Sequence, residues 1–385
     1  MAPLVQLGDL VRIEKGKKAP QVFERPSAST RRYLQIDDLR PDAKHKFVEP
    51  FACPVALKSD VVIAWDGANA GTVSCNLDGY IGSTLAVLRP TTQQLFAPYL
   101  SRFLEGKFDY LQKHSTGATV PHVSRDVLDN LGIPLPSLSQ QQRIAEQLGQ
   151  ADRLRRTRRY ALELSDRFLP AAFLELFGDL VHNERHWRVR VLDEIADIAS
   201  GIAKGQKYGS RETREVPYLR VANVQDGYLD LSEIKVIEAL LGDIEHLRLQ
   251  KNDIVMTEGG DFDKLGRGAI WPGGIQDCIH QNHIFRVRVN QSELLPEFFA
   301  AFLRSPAAKN YFLRCSKQTT NLASINMSQL RATPVALPSL TSQEQFASLV
   351  ARHERLRATQ REALRQAEHL FQTLLHQAFS EGMSC

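Results

Sequence analysis

Residues 135–178 and 337–380 align without a gap at a constant offset of 202. The first stretch reads LPSLSQQQRIAEQLGQADRLRRTRRYALELSDRFLPAAFLELFG, and the second LPSLTSQEQFASLVARHERLRATQREALRQAEHLFQTLLHQAFS. Identities include Leu135/Leu337, Pro136/Pro338, Ser137/Ser339, Leu138/Leu340, Ala145/Ala347, Arg153/Arg355, Leu154/Leu356, Arg155/Arg357, Ala161/Ala363, Leu162/Leu364 and Phe177/Phe379. Agreement of that length marks an internal repeat, which constrains a fold more than any single motif. Fainter echoes precede it. Residues 7–16 (LGDLVRIEKG) resemble 192–201 (LDEIADIASG), and 33–36 resemble 218–221, both at an offset of 185. Residues 60–63 before Gly67 resemble 253–256 before Gly260 at 193. The drift from 185 to 202 predicts loop insertions in the second copy. The chain therefore reads as two similar modules, each a variable globular part followed by a more constant segment.

The constant segments carry a helical pattern. Ile144, Leu148, Leu154, Ala161, Leu162, Phe168, Ala172, Phe173 and Leu176 recur at three- and four-residue steps, matched by Phe346, Val350, Leu356, Ala363, Leu364, Leu370, Leu374 and Leu375. Ser139 and Thr341 are expected as N-caps and Gly178 as a stop. Each helix would run roughly 40 residues, about 60 Å. A helix of that length cannot bury its stripe on itself, and its own duplicate is the obvious partner. Pro170 should kink or restart the first helix, where the second has Gln372.

The globular parts alternate short β-rich runs (DVVIAWDG, STLAVLRP, DIVMTEGG, HIFRVRV) with helical pieces at 96–112 and 296–315. The expected class is α/β (α+β), with two similar globular domains separated by two long antiparallel helices forming a coiled coil. The boundaries are 1–135, 136–180 for the first helix, 181–335, and 336–380 for the second. No apolar run is long enough to cross a membrane, and the N-terminus does not read as a secretory signal. Five widely spaced cysteines without a Cys-x-x-Cys pair fit reduced thiols in a cytoplasm. The net charge of +4 permits nucleic-acid binding without arguing for it, so local clusters matter more.

Certain stretches resemble the specificity subunits of type I restriction-modification enzymes. They are IPLPSLSQQQRI (133–144), ADRLRRTRR (151–159), FLELFGD (173–179), DIVMTEGGDFDKLGRGAIW (253–271) and CIHQNHIFRVR (278–288). Their order matches as well as their wording, and the resemblance covers nearly the whole chain. It implies a non-catalytic DNA-reading subunit in which each globular domain recognises one half of a bipartite asymmetric site. It also implies that the helices set the spacing and dock two methyltransferase subunits, and that a restriction-translocase subunit joins them. S-adenosylmethionine, ATP and magnesium would belong to those partners, with no cofactor in this chain. The alternatives are a long-helix protein-binding scaffold, which would retain no DNA at low salt, and a stand-alone DNA-modifying enzyme. The latter lacks its motifs: there is no Asn/Asp-Pro-Pro-aromatic sequence, AdoMet loop, Walker lysine or helicase acidic box.

Candidate DNA contacts in the first module are Lys15, Lys17, Lys18, Arg31, Arg32, Gln35, Trp65, Asn69, Lys113, His114, Thr116, His122 and Arg125. In the second they are Lys204, Lys207, Arg220, Asn223, Lys264, Arg267, Gln281, Asn282, Lys317, Gln318 and Asn321. Arginine and lysine neutralise phosphates or bind guanine O6 and N7, while asparagine and glutamine pair with adenine. Any one of them alone reads as ordinary surface polarity. Arg155, Arg156, Arg158 and Arg159 are assigned to subunit docking, although an arginine run by itself often marks only a solvated helix face. Gly259, Gly260, Gly266 and Gly268 form a loop without the Gly-Lys-Ser/Thr ending of a nucleotide site. Cys278, His280 and His283 would not converge on one metal ion from a strand, so no metal is assigned.

Overall fold

The computed structural model describes residues 2–40, 44–117, 120–262, 265–318 and 323–380. The chain divides into two units, 1–160 with 361–385 and 161–360. Each unit holds one globular module together with part of each long helix. No helix among the described residues is long and apolar enough to cross a membrane.

One strand plan is built twice. In the first unit an antiparallel sheet runs in the order Val11–Lys15, Leu85–Pro90, Val61–Ala64, Val73–Cys75. In the second the order is Ala196–Ser200, Ile284–Val289, Ile254–Thr257, Gly268–Ile270. The central strands Val61–Ala64 and Ile254–Thr257 are buried at every position, so they read as continuous apolar runs rather than alternating ones. A second sheet also recurs, with Tyr33↔Tyr80 and Leu34↔Ile81 paired in parallel in one unit and Tyr218↔Ile279 and Leu219↔His280 in the other. Terminal ribbons close each module: Leu4–Gln6 pairs with Gly132–Pro134, and Arg188–Val191 with Pro334–Leu337.

The repeat is enforced by matched buried contacts. Asp60 receives Arg89 at 2.9 Å and the Leu57 N–H; Asp253 receives Arg288 and the Gln250 N–H at the equivalent places. Gln141 accepts from the Phe96 N–H and donates to Gln94 O and Pro136 O, and Gln343 does the same with Leu295, Glu293 and Pro338. These glutamines tie each long helix to the helix of its own module. Gly16 and Gly201 mark a close crossing, since a Cβ there would fall 2.2 Å from Gly82 O and 1.9 Å from His280 O.

The first long helix runs Leu138–Asp166 and resumes as Phe168–Phe177; the second is continuous over Leu340–Ser380. The break at Arg167 lies three residues before Pro170. That proline has no N–H for the Asp166 carbonyl, and its ring would clash with it. Gly178 ends the segment at φ 75°, as expected. The N-cap expectation is corrected: the caps are Ser137 and Ser339, two residues earlier. The Ser342 N–H bonds Ser339 Oγ at 3.2 Å, and Gln140 Oε1 accepts the Ser137 N–H. Ser139 and Thr341 lie inside the first turn.

Within each unit the helices run antiparallel. In the first, Arg155 stacks over Phe371 at 3.8 Å and Arg159 pairs with Glu368 at 2.9 Å. Phe371, Leu375 and Phe379 join the core formed by Tyr99, Phe103, Ala145 and Leu148. In the second, Phe173 and Phe177 pack on Phe298 and Phe346, while Ser165 meets His353.

Candidate nucleic-acid interface

In the first unit several predicted residues converge where the sheet ends. Lys15, the last residue of its strand, reaches Asp66 Oδ2 at 2.9 Å. His122 Nδ1 lies 2.6 Å from Asp66 Oδ1, and His122 bridges Thr116 through the backbone. Partial burial pushes the Asp66 carboxyl up, but hydrogen bonds from Lys15 and His122 outweigh this and hold it below the usual range. Trp65 is half-buried against the core, and Asn69 is exposed, accepting from Arg40 at 3.4 Å. Lys17 donates to Ala52 O at 2.8 Å, and Lys18 is exposed beside it.

Other first-module candidates sit elsewhere. Arg31 pairs with Asp78, and Arg32 with the buried Asp38, so Arg32 serves the fold. Gln35 is half-buried beside that pair, its N–H given to Asp38. Lys113 and His114 are exposed, His114 against the Tyr110 ring, and Arg125 pairs with Asp129 along a short helix.

The second unit places Gln281 and Asn282 beside 200–202: Asn282 N–H bonds Ile202 O, and Ser200 Oγ bonds Asn282 O. Lys317 pairs across a small ribbon with Ser324, which in turn faces Gly259. Arg267 reaches Gln225, and Lys204 and Lys207 are exposed on a separate loop. Arg220 pairs with Glu233 at 3.1 Å. Asn223 is corrected: it is buried, its Oδ1 accepts the Arg220 N–H, and its amide donates to Asp230 O and Glu233 O. Both amide donors are used and the side chain is buried, so Asn223 is not presented to a base. Lys264, Asn321 and the Gln318 side chain lie outside the described residues.

Sequence reasoning missed Asp66 and Glu258. Glu258 accepts from His283 at 2.7 Å. Each follows a buried strand, and in the sequence each is only one letter of a β-rich run.

The family model for the type I restriction modification DNA specificity domain matches residues 4–164 and again 184–368. The chain belongs to that family.

Two copies of a DNA specificity domain therefore fill most of this specificity chain. It is 28% identical over 268 residues to the type I restriction enzyme MjaVIII specificity subunit of Methanocaldococcus jannaschii, covering 66% of this chain and 63% of that protein. It is 23% identical to the EcoKI specificity subunit of Escherichia coli, covering 83% and 74%. The specificity chain thus spans just under two thirds of the length of the first relative. In fold it is similar to the type I restriction-modification S subunit of M. genitalium (TM-score 0.58, 15% identity, 98% and 96% of the two chains). A chain from work on assembly and conformational transition of the type I system gives a TM-score of 0.59 at 19% identity, over 98% of each.

The arginine run of the specificity chain divides by role. Arg155 is tied down by Asp152 and Glu105 and lies over Phe371, so it clamps the helix pair. Arg156 pairs with the buried Asp152 at 2.9 Å, and Arg159 with Glu368. Arg158 is exposed with no ion pair among the described residues. Leu154 and Leu356, equivalent in the repeat, are both exposed apolar residues of the helices.

Proposed function

We propose that the specificity chain reads double-stranded DNA with two unlike heads, each taking one half of a bipartite asymmetric site. The observation that carries this is the doubled strand plan with different side chains at equivalent loop positions. Two equal readers would favour a palindrome, whereas unlike readers on one frame suit an asymmetric site. The contacts proposed for the first head are Lys15, Lys17, Lys18, Asn69, Thr116 and His122. Those for the second are Gln281, Asn282, Lys317, Lys204, Lys207 and Arg267. Phosphates would be met by Lys17, Lys18, Lys204, Lys207, Lys317 and Arg267, and bases by the amides, the histidine and Lys15.

The proposed partners are two methyltransferase subunits, docking on equivalent helix surfaces around Leu154 with Arg158 and around Leu356, and a restriction-translocase subunit. These partners would carry S-adenosylmethionine, ATP and magnesium, and the assembly would act in the cytoplasm. Two equivalent exposed leucines support two copies of one partner. The domain limits proposed are 1–135 and 181–335 for the heads, with 136–180 and 336–380 for the helical segments. The test is fluorescence anisotropy of the chain assembled with its methyltransferase on random and selected duplexes. A preferred duplex and a steep loss of affinity with salt are expected. Equal affinity for every sequence overturns the reading.

A further inference from the structure

The two modules share a frame, so frame positions where their side chains differ are candidates for what makes the heads unlike. One such place holds three differences. Lys15 ends its strand opposite Ala86 as Ser200 does opposite Phe285. Asp66 faces His122 as Gly259 faces Ser324. A linked triad of cation, carboxylate and imidazole therefore stands in the first module where the second has two hydroxyls and a glycine.

The triad is organised around the carboxylate. Lys15 and His122 keep about half of their side chains exposed, at 50% and 45%, while that of Asp66 is only 17% exposed. Both partners can thus reach a ligand while the group between them is held in place. A free lysine on a loop samples many rotamers and must lose that freedom on binding; one already tied to a carboxylate has lost part of it. Asp66 accepts at His122 Nδ1, which fixes the ring and leaves Nε2 as the atom for a base edge. A carboxylate beside a DNA groove also repels phosphate, which weakens any complex that lacks compensating base contacts.

We propose that Asp66 is a positioning residue for base reading by the first module, orienting Lys15 and His122 toward a base edge and opposing contact with non-cognate DNA. The base class that suits an oriented ammonium is guanine, whose O6 and N7 are adjacent acceptors. This rests on the reading that the modules contact DNA.

The test uses the chain assembled with its methyltransferase, a target duplex defined by mapping methylated adenines, and a scrambled duplex, at several salt concentrations. Asp66→Asn is expected to bind the scrambled duplex about three- to tenfold more tightly at low salt. The ratio of target to scrambled affinity is expected to fall about tenfold. Lys15→Ala should weaken the target duplex more than the scrambled one, lowering their affinity ratio about tenfold. An unchanged melting temperature for Asp66→Asn shows that the fold is intact. The proposal is overturned if Asp66→Asn leaves the ratio unchanged, or weakens both duplexes equally as a structural residue would. A wild-type complex that fails to distinguish the duplexes removes the DNA-specificity reading itself, before any variant is made.

Discussion

His280 and Arg286 occupy the frame positions that Ile81 and Val87 hold in the first module, and all four are buried. Burial lowers the His280 pKa to about 4, from an ordinary value of 6.5. Because the folded value is the lower one, the associated stability is fully present above about pH 6.5. It drains away as pH falls toward 4. At pH 5 the second module is expected to have lost about 2 kcal/mol that the first does not lose. Urea unfolding at pH 7.5 and 5 should show this, and His280→Leu should abolish the difference; an equal loss in that variant refutes the assignment. The matched bridges Asp60–Arg89 and Asp253–Arg288 behave differently, because removing one partner leaves a poorly solvated charge. Asp253→Ala is expected to cost about 3 kcal/mol in unfolding free energy. The sequence showed the repeated Asp60 and Asp253 as strand starts, but their arginine partners lie 29 and 35 residues away, beyond any local pattern.

Among the elements, the long helices were legible because a three-and-four apolar period and a repeat agree with each other. The break at Pro170 was legible too, since one missing N–H has a fixed consequence. The caps were placed two residues late, because Ser137 and Ser139 offer the same chemistry and only the turn geometry chooses between them. The roles of the arginines were not legible: Arg155 and Arg158 look alike in sequence, yet Glu105, Asp152 and Phe371 fold onto one and leave the other exposed. Arg158→Glu is therefore expected to weaken methyltransferase assembly in size-exclusion chromatography while leaving the melting temperature within about 1 °C. Arg155→Glu should lower that temperature by several degrees. Identical behaviour of the two would contradict the division. Elsewhere the seam of the second unit holds His353, its Nε2 2.8 Å from Ser165 O and 3.0 Å from Ser165 Oγ, where the repeat has Ala151 and Ala367 in the first. A double-mutant cycle on Ser165→Ala and His353→Ala is expected to give a coupling of about 1 kcal/mol. Simple additivity would count against the pair.

For the whole molecule, the duplication carried the architecture: strand order, parallel pairing and buried glutamine ties all recur, at the displayed offsets of 185, 193 and 202 or between them, as for Leu85–Pro90 against Ile284–Val289 at 199. The proposed reading surface was only partly legible. Lysines and amides near strand ends were identified by type, but Asn223 was taken into the fold, and Asp66 gained its importance from Lys15 and His122, neighbours distant in the chain. Side-chain type suggests what could touch DNA, whereas loop closure decides what does. The most direct test of two unlike heads on one chain is selection of bound duplexes from a random library by the assembled complex, followed by sequencing. Two different blocks of fixed bases separated by an unread gap are expected, with Lys15→Ala relaxing one block and Gln281→Ala the other. A single block, a palindrome, or both blocks relaxing together in either variant would contradict it.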